Sequence, residues 1–101
     1  MNTPRLSHSA ALILKALSLG YCFGLDIMEV TGLPSGTVYP ALRRLERDEL
    51  VESKWEPEAE ATANQRPARR YYVVTKAGKA AALAATERYP LLAQLAKEQR
   101  A

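Results

Sequence analysis

A tight turn between two amphipathic segments is the feature that most constrains this chain. The turn covers residues 31–35, where Gly32 permits a left-handed backbone and Pro34 disfavours helical geometry at the residue before it. Ser35 is a good N-cap for a helix that follows. Apolar residues in the segment 24–31 predict a short helix before the turn. A short helix, a tight turn and a capped helix together predict a helix-turn-helix.

The helix after the turn is predicted to run from about Gly36 to Asp48. At about 100° per residue, its apolar side chains form one buried stripe. The stripe consists of Val38, Ala41, Leu42 and Leu45. On the other side, Arg43, Arg44 and Arg47 share an outward arc about 100° wide. Pro40 removes one helical hydrogen bond, so we expect a kink or a tight first turn there.

The first helix is predicted to start at a cap formed by Ser7 or Ser9 and to end at about Leu19, with Gly20 in the left-handed position after it. Its apolar residues surround nearly the whole helix, so it must be covered on more than one side. In a chain of 101 residues the core is thin, and we expect a second subunit to supply part of that cover.

Two strands and a last helix are predicted after the helix-turn-helix. The strands are Leu50–Trp55, with Val51, Ser53 and Trp55 on one face, and Arg70–Val74. The long connection 56–69 makes the hairpin a wing, and Asn64 can supply a left-handed turn at its tip.

Thr75 is predicted to cap a last helix that begins at Lys76, and Pro90 should end or kink that helix just after Tyr89. We therefore expect a DNA-binding domain at 1–75 and a dimerisation helix at 76–101, forming one compact unit.

Composition excludes most other classes of function. The net charge is +3 and the isoelectric point is near 9.2, a balance too mild to prove a nucleic-acid ligand by itself. The single cysteine, Cys22, rules out an intrachain disulfide and a cysteine-based zinc site within one chain. The single histidine, His8, has no catalytic partner in any recognisable motif. We therefore expect a cytoplasmic protein that is not an enzyme and carries no cofactor or metal.

Three segments resemble the PadR-like transcriptional regulators. They read GYCFG at 20–24, SGTVYPALRRL at 35–45 and RRYYVVTKAG at 69–78, and Trp55 adds a fourth point of similarity. The similarity extends from about Leu12 to Leu83, and the family carries a proline at the position of Pro40. The wing differs from the family's usual Gly-Arg-Pro tip, since residues 64–67 read NQRP.

The resemblance implies a mainly α fold with a small β-hairpin, that is, a winged helix-turn-helix with a C-terminal dimerisation helix. It implies a homodimeric repressor that binds double-stranded DNA at an inverted-repeat operator. It also implies that a small aromatic effector can bind at the dimer interface. The alternative is a winged-helix module that binds another protein, for which a neutral or apolar third helix would be expected.

The predicted DNA-binding residues lie on the third helix and in the wing. They are Ser35, Thr37, Tyr39, Pro40, Arg43, Arg44, Arg47, Arg66 and Arg69. The N-terminal part of such a helix reads base edges, which favours Arg43 for that role and Arg44 and Arg47 for phosphates. Arg66, at the tip of the wing, is expected to enter or flank a minor groove.

Three further expectations concern packing. Arg70 can pair with Glu52 across the hairpin. Trp55 is expected in the core or the dimer interface, and a role as a ligand platform is the alternative. The predicted dimer interface consists of Leu12, Leu19, Leu91, Leu92 and Leu95.

Overall fold

Helices and one hairpin alternate along the chain in the computed structural model, which describes residues 6–89. In chain order the elements are α1 (His8–Ser18), α2 (Gly24–Thr31), α3 (Ser35–Arg47), β1 (Val51–Trp55), α4 (Glu58–Ala63), β2 (Arg70–Val74) and α5 (Lys76–Arg88). The winged helix-turn-helix order predicted from the sequence is confirmed. The connection between the strands differs from the prediction, because it contains the short helix α4 rather than an irregular loop.

The start and the end of α1 follow from local chemistry. The Ser7 side chain accepts a hydrogen bond from the Ala10 amide at 3.2 Å, so Ser7 rather than Ser9 is the cap. Gly20, just after the helix, has a φ of 103°, which an L side chain rarely adopts. The two predicted interface residues of this helix region, Leu12 and Leu19, are half-buried in the single chain.

The turn of the helix-turn-helix forms as predicted at Gly32, which has a φ of 74°. The predicted cap at Ser35 is wrong, because Pro34 occupies the N-cap position and Ser35 is the first residue of α3. Proline has no N–H and a fixed φ, so it fits the helix start without a side-chain hydrogen bond. The Thr37 amide donates to the Pro34 carbonyl at 2.9 Å, which makes the first turn of α3 tight.

The core forms where the apolar stripe of α3 meets α1. All four predicted stripe residues are buried, and Val38 and Leu42 are fully inaccessible to solvent. They pack in one cluster with Ile13 and Leu14 of α1 and with Ile27 of α2. The helix continues through Pro40, whose missing N–H lies within a helix that these contacts hold in place.

The hairpin is antiparallel, and its register pairs Val51 with Val74 and Trp55 with Arg70. Val51 and Tyr72 are buried, whereas Trp55 is 66% exposed. The expectation that Trp55 lies in the core of the chain is therefore wrong. The core lies under the Val51 end of the hairpin, and by Trp55 the strand has passed its edge.

Helix α5 returns the chain to α1. Its cap is Thr75, as predicted, whose hydroxyl accepts from the Gly78 amide at 3.0 Å and donates to the Glu49 carbonyl at 2.7 Å. Near its end, the Tyr89 hydroxyl donates to the Leu6 carbonyl at 3.1 Å. The predicted break at Pro90 and the interface residues Leu91, Leu92 and Leu95 lie outside the described residues.

Gly78 allows α5 to approach the hairpin, which generates a prediction about stability. A Cβ at Gly78 would collide with the Leu50 carbonyl oxygen and lie 2.8 Å from Val74 Cγ1, whereas a Cβ at Gly36 would meet nothing within 4 Å. Gly78→Ala should therefore lower the free energy of unfolding by about 1–3 kcal/mol. Gly36→Ala should leave it unchanged or raise it by up to about 1 kcal/mol. Urea unfolding followed by circular dichroism measures both; equal midpoints for wild type and Gly78→Ala would contradict this account.

Candidate nucleic-acid interface

The outward face of α3 is a surface of arginine side chains. Arg43, Arg44 and Arg47 are all exposed, on the side of the helix opposite its buried stripe. Among the described residues, the one ion pair that any of them makes is between Arg47 Nε and Asp48 Oδ1, at 3.6 Å. Both partners of that pair are well exposed, so it leaves the charge of Arg47 available to an anion.

The other predicted residues of α3 surround the start of the helix. Ser35 is exposed, and Thr37 and Pro40 are half-buried. Tyr39 is 38% exposed, and its ring lies against the first residue of α2. A Cβ at Gly24 would be 2.7 Å from both Cε1 and Cζ of Tyr39, so the glycine makes this approach sterically feasible.

A cleft of about 410 Å³ opens between the N-terminus of α2, the exposed face of α3 and the start of β2. Its lining combines guanidinium groups with aromatic rings. The residues are Phe23, Gly24, Leu25, Tyr39, Arg43, Arg69, Arg70 and Tyr72. Arg69 Cζ lies 3.8 Å from the centroid of the Phe23 ring, a cation–π contact that fixes this arginine at the wall of the cleft. The cleft thus presents positive charge beside the arginine face of α3.

Glu56 is the centre of a cluster at the base of the wing. Its carboxylate is 6% exposed and accepts hydrogen bonds from both terminal nitrogens of Arg66, with Nη2 at 2.8 Å from Oε2. The Arg69 amide donates to Oε1 at 2.9 Å, and Arg69 Nε lies 3.5 Å from the same oxygen. The hydrogen-bonded Arg66 guanidinium lowers the pKa of Glu56 to about 2, against the opposing effect of burial.

The wing differs from its predicted form in two respects. The left-handed residue is Gln65, with a φ of 55°, whereas Asn64 has a φ of −96° and caps the end of α4 through its amide, which donates to the Glu60 carbonyl. The Arg66 side chain, predicted at an exposed tip, turns inward to Glu56 and is 27% exposed. Helix α4 causes this change, because it closes the connection into a compact turn above Glu56.

A second polar cluster connects α3 to the hairpin. Arg70 Nη2 lies 3.3 Å from Glu46 Oε1, and both side chains contact the Ser53 hydroxyl. The predicted pairing of Arg70 with Glu52 is wrong. Arg70 is opposite Trp55 in the register and shares the Ser53 face of the sheet, whereas Glu52 projects from the other face.

Two contacts of this surface were not predicted from the sequence, those of Gly24 and Glu56. For Gly24, a signal exists in the sequence, since a glycine replaces a larger residue at the start of a helix. Glu56 gives no such signal, because its partners lie 10 and 13 residues away across a connection of unknown shape.

The search for other kinds of site was negative within the described part of the chain. None of the helices between residues 6 and 89 combines the length and apolarity needed to cross a membrane. Over the same residues, histidine, cysteine and acidic side chains form no cluster suited to a metal ion.

These features define a winged helix-turn-helix protein with a basic recognition surface, and the comparisons identify its family. The model of the Transcriptional regulator PadR-like family matches residues 13–85. The chain belongs to this family, whose members are transcription regulators and not enzymes. The comparison with curated proteins gave no match.

Solved structures of similar fold agree with this assignment. A PadR family transcription regulator from hypervirulent Clostridium difficile R20291 matches with a TM-score of 0.71 at 23% identity, covering 94% of this chain and 100% of that one. A Streptococcus transcriptional regulator matches with a TM-score of 0.65 at 18% identity, covering 91% of each chain. A PadR-like transcription factor from Bacteroides fragilis matches with a TM-score of 0.60 at 22% identity, covering 89% of this chain and 90% of that one.

The Glu56 cluster generates a prediction about pH. The folded-state pKa is about 2 against an ordinary value of 4.5, so the carboxylate stabilises the fold fully above about pH 4.5 and loses this effect as the pH falls towards 2. Glu56→Gln should therefore be less stable than wild type at neutral pH, and the difference should shrink through that window. Urea unfolding of both proteins at several pH values measures the difference. A gap that is constant down to about pH 2.5 would contradict the pairing.

Proposed function

We propose that this PadR-like regulator binds double-stranded DNA in the cytoplasm by placing α3 in the major groove. The observation that carries the proposal is the face formed by Arg43, Arg44 and Arg47, which is exposed on a helix whose opposite side is fixed in the core. A helix that follows a helix-turn-helix turn docks in the major groove, and its N-terminal part meets base edges. A run of arginines on that helix supplies both base recognition and phosphate contacts.

The roles within this surface follow from position along α3. Arg43 lies one turn nearer the N-terminus of the helix than Arg47, so we assign Arg43 to a base edge and Arg44 and Arg47 to phosphates. Ser35, Thr37, Tyr39 and Pro40 border the same end and meet base edges or nearby phosphates. In the wing, Arg69 lines the cleft beside Arg43 and extends this surface, whereas the contribution of Arg66 depends on its pairing with Glu56.

We further propose that the protein acts as a homodimeric repressor. The first helix leaves Leu12 and Leu19 half-buried in the single chain, and Leu83 of α5 is 67% exposed. A second subunit packed on α1 and α5 would cover these side chains, together with Leu91, Leu92 and Leu95. A two-fold dimer presents two recognition helices, so its operator should be an inverted repeat with half-site centres about 34–36 Å apart, or a multiple of that. The aromatic effector at this interface stays a prediction.

A binding assay on the DNA upstream of the protein's own gene tests the proposed function. At two salt concentrations, the protein should shift this fragment in a gel more strongly than a random fragment of equal length, and the shift should weaken at the higher salt. An absence of binding to any duplex would favour the alternative, a winged-helix module that binds another protein.

Two arginine variants test the assigned roles. Arg43→Ala should cost about 1–3 kcal/mol per half-site and relax the preference at one base pair, because a bidentate contact to a guanine edge is lost. Arg47→Ala should weaken binding to all sequences evenly and make the salt dependence shallower by about one unit. Titration against single-base operator variants distinguishes the two. If Arg47→Ala alters base preference and Arg43→Ala does not, the assignment is reversed.

The dimer is tested by introducing charge at its predicted centre. The double substitution of Leu92→Glu and Leu95→Glu should yield monomers, because carboxylates cannot be buried in an apolar interface without partners. Light scattering gives the molar mass directly. A dimer mass retained by the double variant would show that subunits meet elsewhere.

A further inference from the structure

The charge on the wing is the starting point for an inference that rests on the proposed function. The connection 56–69 contains three glutamates and two arginines, whereas α3 contains three arginines and one glutamate. The wing connection is therefore net negative, although a wing that lies on phosphates would be expected to be positive. What matters next is where each of these charges points.

The Arg66 guanidinium is engaged before any DNA arrives. Its two terminal nitrogens bond to both carboxylate oxygens of Glu56, a bidentate arrangement that fixes the direction of the side chain. Nη1 also lies 3.4 Å from the Pro67 carbonyl. To reach a phosphate, Arg66 would have to abandon a carboxylate that is 6% exposed and would then be left buried with fewer partners.

The same carboxylate restrains Arg69, because it accepts the Arg69 amide at 2.9 Å and faces Arg69 Nε at 3.5 Å. Unlike Arg66, Arg69 keeps an exposed guanidinium that lines the cleft next to α3. The geometry thus separates the two wing arginines into one that is neutralised and one that remains partly available. Glu58 and Glu60, on α4, add exposed negative charge above the cluster.

We propose that Glu56 is a positioning residue that withholds Arg66 from DNA and so lowers the affinity of this regulator for duplexes of any sequence. Sequence-specific contacts then rest on α3, while the wing contributes little phosphate binding. A lower non-specific affinity increases specificity, because the excess of non-specific sites competes less effectively for the protein.

Three variants and one probe test this proposal. The probe is a duplex of random sequence, and the measurement is the slope of log affinity against log salt. Glu56→Gln releases Arg66 and should bind about fivefold more tightly at about 0.1 M salt, with a slope steeper by about one unit. Glu58→Gln is the matched control, because it removes an equal charge from an exposed site in the same connection that makes no contact with Arg66. Its slope should stay near that of wild type.

The double variant Glu56→Gln with Arg66→Gln decides the case even if the single variant perturbs the wing. It replaces a neutral pair by another neutral pair, so its slope should equal that of wild type. A slope shallower by about one unit would show that Arg66 contacts a phosphate in the native protein and would overturn the proposal. Equal slopes for Glu56→Gln and Glu58→Gln would overturn it as well. If wild type binds no duplex at all, the proposed function fails instead.

Discussion

The contact between α1 and the buried stripe of α3 determines the orientation of every other functional element. Val38, Leu42 and Leu45 pack against α1, and each loses nearly all its exposure to solvent. Because a helix has one azimuth once its apolar side is fixed, burying this stripe turns Arg43 and Arg47 outward. The core therefore positions the recognition surface without any polar contact on that surface having to hold it in place.

The elements that the sequence predicts well are those whose cause is local. The cap at Thr75, the turn at Gly32 and the arginine face of α3 each depend on residues within about one helical turn. The prediction at Ser35 is wrong for an equally local reason. Two good candidates for the helix start adjoin each other there, and Pro34 took the position because its ring already fixes the required φ.

The features that the sequence does not predict depend on distant parts of the chain. The exposure of Trp55 is decided by where the hairpin leaves the core, and the partner of Arg70 is decided by how α3 lies across the sheet. Alternation along the strands narrows the second choice, since it places Glu52 on the opposite face. It cannot select Glu46, because no pattern in either segment gives their relative placement.

The two polar clusters of the hairpin have different consequences for recognition. The Glu46 cluster joins α3 to the sheet, so it couples the angle of the recognition helix to that of the wing. The Glu56 cluster lies within the wing and determines which of its charges reach solvent. A regulator built in this way can bring a wing close to DNA as a steric guide while leaving most of the attraction to α3. Shape and charge, which a basic wing would combine, are then supplied by separate elements of the fold.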